Sequence, residues 1–348
     1  MKFKREIEID HFIISDNSPA YIIAEAGVNH NGDRAMAERL IDAAAEAGVN
    51  AVKFQSFKPE QLVLRNASKA PYQKKTTACE ESQFQMLKAL EMGIQEMKLL
   101  QEYAKKKGLT FLSTPFEKES MLELCKMGVP AFKIAATDLT NIQFLRQIAQ
   151  AGKPMILSAG MCYLEEVRKA LEAIYEYNDQ VILLQCSANY PIQDNEANLR
   201  VIDTLKQEFD IMVGYSDHSV GIGASPYAAV KGARVIEKHF TLDKELAGPD
   251  QRASVTPKEL AQLVREVRRA EQYLGNGIKM PTCSEQFTRK SLQKYLVAKK
   301  SIPCGEPFTD DNIVAKRTDG KGISAIYVDD VLNTTAKRDY EPDDIIEY

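Results

Sequence analysis

Short apolar runs alternate with helical patterns along most of this chain. In the first helical segment, apolar residues recur at the spacing of one helix face, at Ala37, Leu40, Ile41, Ala44 and Ala45. Several such segments end in a glycine, and an apolar run follows within a few positions, as in EAGVNAVKFQ and QAGKPMILSA. Glycine readily adopts the left-handed conformation that closes a helix. The pattern therefore indicates repeated helix–strand units.

Eight apolar runs of this kind predict eight strands. Helical patterns separate them throughout, and eight alternating β–α units favour an α/β fold of the TIM (β/α)8 barrel type. An open doubly wound sheet is the alternative, but the GVNHNG after the first strand lacks the G-x-G-x-x-G phosphate fingerprint. The predicted strands are Tyr21–Ala26, Ala51–Gln55, Thr110–Ser113, Ala131–Ala135, Met155–Ala159, Val181–Cys186, Ile211–Tyr215 and Arg234–His239.

Two further segments flank or interrupt the predicted barrel. IEID and FIIS predict a two-stranded hairpin within residues 1–20, and the polar stretch 58–85 predicts a long binding loop. Near residue 280 the pattern changes to a polar stretch without a strand or clear helix signal, followed by short strands and turns. We therefore expect a hairpin-plus-barrel domain at 1–280, a linker at 281–292 and a compact, mostly β domain at 293–348.

Composition and charge narrow the class of protein. The net charge of the 348 residues is −4 with both signs mixed, and no basic stripe indicates nucleic acid. No apolar run approaches the roughly 18 residues that a membrane-spanning helix needs, and the charged start MKFKREIEID is not typical of a signal peptide. Six cysteines without a CxxC pair favour reduced thiols. We expect a cytoplasmic protein that binds neither nucleic acid nor membrane.

Polar residues collect at the carboxyl ends of the predicted strands, where TIM barrels place active sites. Residues two apart share one side of a strand, so Ser216 faces the same way as His218, and Glu237 as His239. If these sides face the barrel axis, the two histidines converge from neighbouring strands and can hold a divalent metal. A lone strand-end histidine is more often a hydrogen-bonded structural residue, but two beside a carboxylate favour the metal site.

Two lysines on other strands predict an anionic substrate. Lys53 and Lys133 lie in the second and fourth predicted strands, and lysine is a common partner of phosphate. One such lysine could be a solvated strand end, but the second makes that interpretation weaker. Lys238 faces away from His239 on the alternation of the strand, and no role is assigned to it.

Several stretches resemble the sialic acid synthase family, which includes bacterial N-acetylneuraminate synthases and their legionaminate-forming relatives. GYSDH, EKHFTLD and a downstream GPD are highly specific, and the resemblance covers nearly the whole chain. SIPCGEPFTDDNIVAKR is similar to the antifreeze-like domain that follows the barrel in this family. The other matching stretches are AEAGVNHNG, AVKFQSFK, KAPYQ, ESQ–QMLK, FLSTPF and KR–GISA.

The resemblance implies a transferase of sialic acid biosynthesis. It would condense phosphoenolpyruvate with N-acetylmannosamine and water to give N-acetylneuraminate and phosphate. One alternative is a legionaminate synthase that uses 2,4-diacetamido-2,4,6-trideoxymannose. A nearby rival is a phosphoenolpyruvate aldol-type synthase acting on a phosphorylated sugar, and a remoter one is a non-catalytic sugar-binding protein.

The resemblance also implies roles for individual residues. His218 and His239 would hold the divalent metal, usually manganese, with magnesium or cobalt as alternatives, and Glu25 would be the acid/base group. Arg317 would come from the other subunit of a domain-swapped homodimer. Phosphoenolpyruvate would contact Lys53, Thr114, Lys133, Ser158 and Ser216, and the sugar would contact Gln55, Asp138, Tyr190, Asp250 and Arg317.

The chain departs from the family pattern at two places. KIAATD has Ala136 and Asp138 where members commonly carry a serine and a glutamate, and CSANYPIQ has Ala188 where some members place a polar residue. Both changes bear on the substituents of the sugar more than on the reaction.

Overall fold

The protein is described by a computed structural model that covers residues 1–77, 80–332 and 334–347. It divides into two units, Met1–Gly275 and Asn276–Tyr348. In the N-terminal unit, eight parallel strands alternate with helices as a nearly closed barrel, which confirms the predicted fold class. An antiparallel hairpin of β1 (Glu6–Ile9) and β2 (Phe12–Ser15) precedes the barrel, as predicted.

All eight predicted barrel strands are present, with ends within two residues of the predicted ones. The apolar runs bury both faces, as strands do when helices cover the outside of a barrel. The strands are β3 (Tyr21–Gly27), β4 (Ala51–Ser56), β5 (Thr110–Pro115), β6 (Phe132–Ile134), β7 (Met155–Ser158), β8 (Val181–Cys186), β9 (Met212–Asp217) and β10 (Val235–His239).

Helices follow the barrel strands. Helix α1 buries Ala37, Leu40, Ile41 and Ala44, the face that its sequence predicts, and Gly48 ends it in the left-handed conformation. The polar insertion after β4 carries short helices. The helices are α1 (Arg34–Ala47), α2 (Pro59–Leu62), α3 (Gln73–Thr76), α4 (Gln83–Leu90), α5 (Ile94–Lys106), α6 (Lys118–Met127), α7 (Ile142–Gln150), α8 (Leu164–Tyr175), α9 (Val201–Phe209), α10 (Ser225–Val230) and α11 (Pro257–Leu274).

The strand register brings polar residues to one level. The hydrogen-bonded order is β5-β4-β3-β10-β9-β8-β7-β6, and no ladder joins β5 to β6 within the described strands. Glu25 stands opposite Lys53 on one side and His239 on the other, and Glu237 stands opposite Ser216. Side chains from strands far apart in the sequence therefore meet at the same height in the barrel.

The barrel interior has two halves. The lower interior is apolar and includes side chains of the hairpin, which pack with it. The upper interior lies two or four residues further along the same strands and is polar. The lower interior comprises Ile7, Ile9, Ile14, Tyr21, Ile23, Ala51, Leu112, Ala131, Ile156, Ile182, Leu184, Met212 and Val235. The upper interior comprises Glu25, Lys53, Thr114, Lys133, Ser158, Cys186, Ser216 and Glu237.

The C-terminal unit has its own small core. Strands β11 (Lys294–Ala298) and β12 (Ile313–Arg317) pair antiparallel, and Leu296, Phe308 and Ile346 are among its buried side chains. Its described residues form two α-helices, α12 (Cys283–Leu292) and α13 (Val328–Leu332).

The stretch expected to be a linker, residues 281–292, contains helix α12, for which the sequence shows no clear helix pattern. There Thr282 and Glu285 form a capping box at the start of α12. The T-x-x-E spacing of this capping box is present in the sequence. The helix buries none of its residues within its own unit, however, so the sequence has no apolar stripe that would indicate a helix. Across the described ranges, no helix has the length and apolar character needed to cross a bilayer.

Candidate active site

A cavity of about 430 Å³ opens at the carboxyl ends of the barrel strands. It has the size expected of a small-molecule site and is floored by the upper interior. Eleven of the predicted site residues line it. They are Glu25, Lys53, Gln55, Thr114, Lys133, Ser158, Tyr190, Ser216, His218, His239 and Asp250.

Another cavity, of about 540 Å³, lies beside the hairpin at the opposite end of the barrel. Its charged groups, Arg268 and Glu271, bond to each other at 3.0 Å and to the backbone of Ala20. This cavity has none of the buried lysines and histidines that line the first one, so the cavity above the upper interior is the candidate active site.

Two buried lysines and two buried carboxylates form the floor of the site. Lys53 Nζ lies 2.7 Å from Glu25 Oε2 and donates to Thr114 Oγ1 at 2.9 Å. Lys133 Nζ donates to Ser158 Oγ at 2.8 Å. Glu237 lies between the lysines, with carboxylate oxygens 3.9 Å from Lys53 Nζ and 3.5 Å from Lys133 Nζ. A buried ion is stable only with such partners, so the four charges hold one another in place.

The two carboxyls differ in their affinity for a proton. Burial raises the pKa of Glu25 to about 7, against the attraction of Lys53, and the charge of Glu237 adds to the rise. Burial also opposes ionisation of Glu237, but Lys133 and Lys53 outweigh it and lower the pKa of this group to about 2. Ser216 donates to Glu237 at 2.9 Å and supports its charge. Glu25 can therefore exchange a proton near neutral pH, while Glu237 stays ionised.

The two histidines converge, as the strand alternation predicts, with ring centroids 5.6 Å apart. His218 Nδ1 lies 2.7 Å from the carbonyl oxygen of Ser187, so it must donate, and Nε2 carries the lone pair. The buried Nδ1 of His239 has no hydrogen-bond partner among the described residues. Burial lowers the pKa of His218 to about 4 and that of His239 well below its usual value. Both rings are thus neutral, which is the form that binds a metal.

This donor set fits a divalent metal with open coordination positions. In the part of the chain that the structure describes, no three His, Cys, Asp or Glu side chains group as a complete ligand set. Two imidazoles alone would leave positions for water or substrate oxygens. The unpartnered, buried Nδ1 of His239 is the observation that a bound ligand would explain most directly.

Aromatic rings and one more carboxyl form the upper wall. The ring of Tyr190 lies 4.1 Å from that of His218 and 5.2 Å from that of Tyr72, which the insertion after β4 supplies. Asp250 lines the same wall, and burial raises its pKa to about 6. The wall combines flat apolar faces with polar tips, an arrangement suited to a sugar.

An apolar chamber forms the side of the cavity under the insertion. Its side chains come from the loop after β3, from the ends of β4 and β5, and from α2 and α4. They are Val28, Phe57, Leu62, Val63, Met86, Leu87, Leu90 and Phe116.

Two predicted sugar contacts lie elsewhere. Asp138 is buried and accepts hydrogen bonds from Thr137 and Asn141, and its neighbours Ala136 and Thr137 line the cavity. Arg317 is exposed at the end of β12 in the C-terminal unit. Their roles stay predictions, as do those of the residues that line the cavity.

Glu237 and Tyr72 are among the cavity residues to which the sequence assigned no role. Glu237 was recognised only as a carboxylate on the side of His239, yet it is the shared partner of both lysines. Tyr72 lies in the KAPYQ stretch that resembles the family, but no role was carried over to it, and the insertion has no period that shows which side chains turn toward the barrel.

Comparisons with known proteins agree with the fold. Residues 40–279 match the NeuB family, and residues 293–348 match the SAF domain. The N,N'-diacetyllegionaminic acid synthase of Campylobacter jejuni is 45% identical over 93% of this chain and 98% of its own length. The human N-acetylneuraminate-9-phosphate synthase is 35% identical over 93% of this chain and 90% of its own.

A solved structure shows the same likeness. The N-acetylneuraminic acid (sialic acid) synthetase of Leptospira borgpetersenii is 39% identical, with a TM-score of 0.75 over 84% of this chain and 98% of that one. The chain therefore belongs to the NeuB family and is an enzyme of the sialic acid synthase type, with a SAF domain over residues 293–348.

Proposed function

We propose that this enzyme condenses phosphoenolpyruvate with 2,4-diacetamido-2,4,6-trideoxymannose and water, giving N,N'-diacetyllegionaminate and phosphate. The observation that carries the reaction is the floor of one cavity, where two buried lysines, two neutral histidines and a glutamate with a pKa near 7 meet. Each of these groups matches a requirement of the chemistry.

Phosphoenolpyruvate would bind at the upper interior. Its phosphate and carboxylate need cations and donors, and Lys53 and Lys133 stand beside the hydroxyls of Thr114, Ser158 and Ser216. The lysines already sit in a buried, charge-balanced arrangement, so little reorganisation is needed when the anion arrives. The same cations would then offset the charge of the departing phosphate.

His218 and His239 would hold a divalent cation, which we propose to be manganese. When bound, the cation would supply Lewis acidity at the aldehyde oxygen of the open-chain sugar. The remaining steps use the protein's own groups.

Glu25 is the proposed acid/base group. Carbon 3 of phosphoenolpyruvate forms the new bond to the aldehyde carbon, and water adds at carbon 2. With a pKa near 7, Glu25 can take the proton of that water and deliver it to the oxygen of the former aldehyde. The bond from carbon 2 to the phosphate oxygen then breaks, the proton of the carbon-2 hydroxyl passes to the leaving phosphate, and the keto acid remains. Gln55 donates to Glu25 at 3.2 Å and orients the carboxylate.

The choice of sugar rests on the apolar chamber and on the relatives. A 6-deoxy sugar presents a methyl group, and a second acetamido group presents another, and both favour apolar surroundings such as Leu62, Met86 and Leu90. Two relatives, at 45% and 40% identity, are named N,N'-diacetyllegionaminic acid synthase. Ala136 and Ala188, which line the cavity, keep its wall small and apolar.

N-acetylmannosamine is the second candidate, giving N-acetylneuraminate. The 39% identical Leptospira structure is named N-acetylneuraminic acid synthetase, which favours it. A phosphorylated sugar is a poorer match, because Lys53 and Lys133 are the only Lys or Arg side chains among the described residues that line the cavity. A second phosphate would need further cations there.

The C-terminal unit enters the proposal through Arg317. Its guanidinium offers a planar fork of donors that suits a sugar, and we propose that a domain-swapped homodimer supplies it in trans. Mixing the Arg317→Ala and Lys53→Ala proteins should then restore part of the activity through heterodimers. A mixture no more active than the separate variants would contradict supply in trans.

One assay tests the function. Phosphoenolpyruvate and Mn²⁺ are incubated with each candidate sugar, and phosphate release and product mass are recorded. We expect the diacetamido sugar to have the highest kcat/KM, and the Lys53→Met protein, a matched control without the cation, to lose about 10³-fold in kcat/KM with every sugar. A higher kcat/KM with N-acetylmannosamine would overturn the sugar assignment, and no phosphate release with any sugar would overturn the reaction.

A further inference from the structure

Strands β9 and β10 end in residues that alternate between two sides. Ser216 and His218 face the cavity from the end of β9, and Glu237 and His239 face it from β10. The residues between them, Asp217 and Lys238, point the other way and stand directly opposite each other in the register.

Asp217 and Lys238 form an ion pair that is wholly buried. Both side chains are 0% exposed, and Lys238 Nζ lies 3.3 Å from Asp217 Oδ1. They lie on the outer side of the sheet, so neither lines the cavity. A direct part in binding substrate is therefore excluded for both side chains.

The Asp217 carboxylate accepts four hydrogen bonds from the segment that follows it. Oδ1 accepts from the backbone N–H of Ser219 at 2.9 Å and from its hydroxyl at 2.5 Å. Oδ2 accepts from the backbone N–H of Ser225 at 3.0 Å and from its hydroxyl at 2.6 Å. One side chain thus fixes both ends of the turn between β9 and α10.

Lys238 fixes the same turn from the neighbouring strand. Its Nζ donates to the carbonyl oxygen of Ser219 at 2.5 Å. His218 therefore lies between two anchored residues, and its own carbonyl accepts from the backbone N–H of Ile192 at 3.0 Å. These bonds hold the backbone that carries the His218 ring.

Gly223 shows how tightly this turn is closed. Its φ is +47°, and a Cβ there would lie 1.8 Å from Ser219 Oγ and 3.3 Å from Asp217 Oδ2. Only glycine leaves room for the Ser219 hydroxyl to reach the carboxylate.

Stability alone is a poor explanation of this ion pair. Burying two charges costs desolvation free energy that the mutual attraction often fails to recover, and neutral residues of similar volume are frequently as stabilising. An apolar pair, however, could not accept hydrogen bonds from two backbone N–H groups and two hydroxyls. The charged side chains of Asp217 and Lys238 therefore contribute the hydrogen bonds that fix the geometry of the turn between β9 and α10.

We propose that Asp217 and Lys238 are positioning residues for the metal site, holding the His218 ring at the angle and distance that pair it with His239. This inference rests on the proposed metal role of the two histidines. Partners that orient metal ligands commonly contribute 10- to 100-fold, in rough terms, to metal affinity.

The decisive variant is Asp217→Asn with Lys238→Met. It keeps the volume, removes both charges and leaves no single buried charge behind. We expect cooperative unfolding at a lower melting temperature, because the turn loses buried hydrogen bonds, with Mn²⁺ affinity by calorimetry about 10- to 100-fold weaker. kcat should fall while the KM for phosphoenolpyruvate stays nearly constant, because Lys53 and Lys133 are untouched.

Ile236→Val is the matched control. Ile236 is fully buried on the same strand and the same outer side as Lys238. We expect a lower melting temperature with unchanged Mn²⁺ affinity. If the double variant binds Mn²⁺ as the parent does, or if the control weakens Mn²⁺ binding as much as the double variant, the positioning role is overturned.

Two further variants keep the test decisive. Ser225→Ala removes one neutral hydrogen-bond donor to Asp217. This variant should fold normally and bind Mn²⁺ a few-fold more weakly than the parent. If the double variant does not fold, an unchanged Mn²⁺ affinity of Ser225→Ala overturns the proposal. His239→Ala should abolish stoichiometric Mn²⁺ binding. If it does not, the metal site itself is wrong, whereas loss in His239→Ala without loss in the others overturns only the positioning role.

Discussion

The lower and upper interiors of the barrel are built from the same strands and lie on the same side of them. The lower interior buries apolar side chains, whereas the upper interior buries charged ones. Ile23 and Glu25 are two residues apart on β3, and Leu112 and Thr114 on β5, which is about 6.6 Å along a strand. The lower positions bury apolar side chains and stabilise the fold. The upper positions bury charges that need one another. In these strands, the residues that stabilise the fold and the residues of the candidate site are thus only two positions apart.

The largest effect should come from removing a cation of the upper interior. In Lys53→Met, the cavity loses a charge that faces the proposed phosphoenolpyruvate site, and kcat/KM should fall by about 10³-fold. Stability should change little, because Glu25, left without its partner 2.7 Å away, can remain protonated. Steady-state kinetics and thermal unfolding measure both quantities. A large loss of stability with little loss of kcat/KM would erase the distinction between the two halves.

A matched change in the lower interior should have the reverse outcome. Leu112 is fully buried in the apolar cluster, and Leu112→Ala should lower the free energy of unfolding by about 2–5 kcal/mol. Below the melting temperature, kcat/KM should stay near that of the parent. Urea titration and initial rates check this. A kcat/KM as low as that of Lys53→Met would show that the lower interior also governs the chemistry.

The two carboxyls of the upper interior should respond to pH in opposite ways. The pKa of Glu25 is raised to about 7 from its ordinary 4.5, so the folded protein holds this proton more tightly than the unfolded chain does. Its contribution to stability is full below pH 4.5 and declines as the pH rises to about 7. The pKa of Glu237 is lowered to about 2, so its contribution is present above pH 4.5 and is lost as the pH falls toward 2.

Glu25 should also set the pH dependence of the reaction. If its carboxylate is the base, kcat/KM should rise with pH until about 7 and then level off. Initial rates of the parent and of Glu25→Gln, measured on both sides of neutrality, test this. The variant should be slow with a flat profile, and a parent profile that is flat through neutrality would remove Glu25 from this role.

The smallest effect is expected at the upper wall. Ala136→Ser adds a hydroxyl at a position that lines the cavity. One added hydrogen bond should change a KM by less than about tenfold, with unfolding unaffected. The KM values for phosphoenolpyruvate and for each sugar show which substrate this wall meets. A change in neither would place residue 136 outside the binding surface.

Sequence alone predicted the elements whose signal is local. The alternation along β9 and β10 was enough to bring His218 and His239 together, because strand parity is a property of a few consecutive residues. The charge state of Glu25 could not be predicted, since its pKa depends on burial and on Lys53 and Glu237, which meet it only through the register of three strands. Tyr72 and α12 were missed for a related reason, because neither lies in a segment with an apolar period of its own.

The hairpin at the lower end of the barrel has a kinetic consequence. Ile7, Ile9 and Ile14 pack into the apolar lower interior, so buried apolar side chains lie beneath the cavity, which opens at the carboxyl ends of the strands. In a cavity of this shape, the substrate that binds deeper must enter first and leave last. If the lysines hold phosphoenolpyruvate as proposed, the sugar binds above it. Initial-rate kinetics should then show a compulsory order in which phosphoenolpyruvate binds first. Random order would mean that the opening is wide enough for phosphoenolpyruvate to pass a bound sugar.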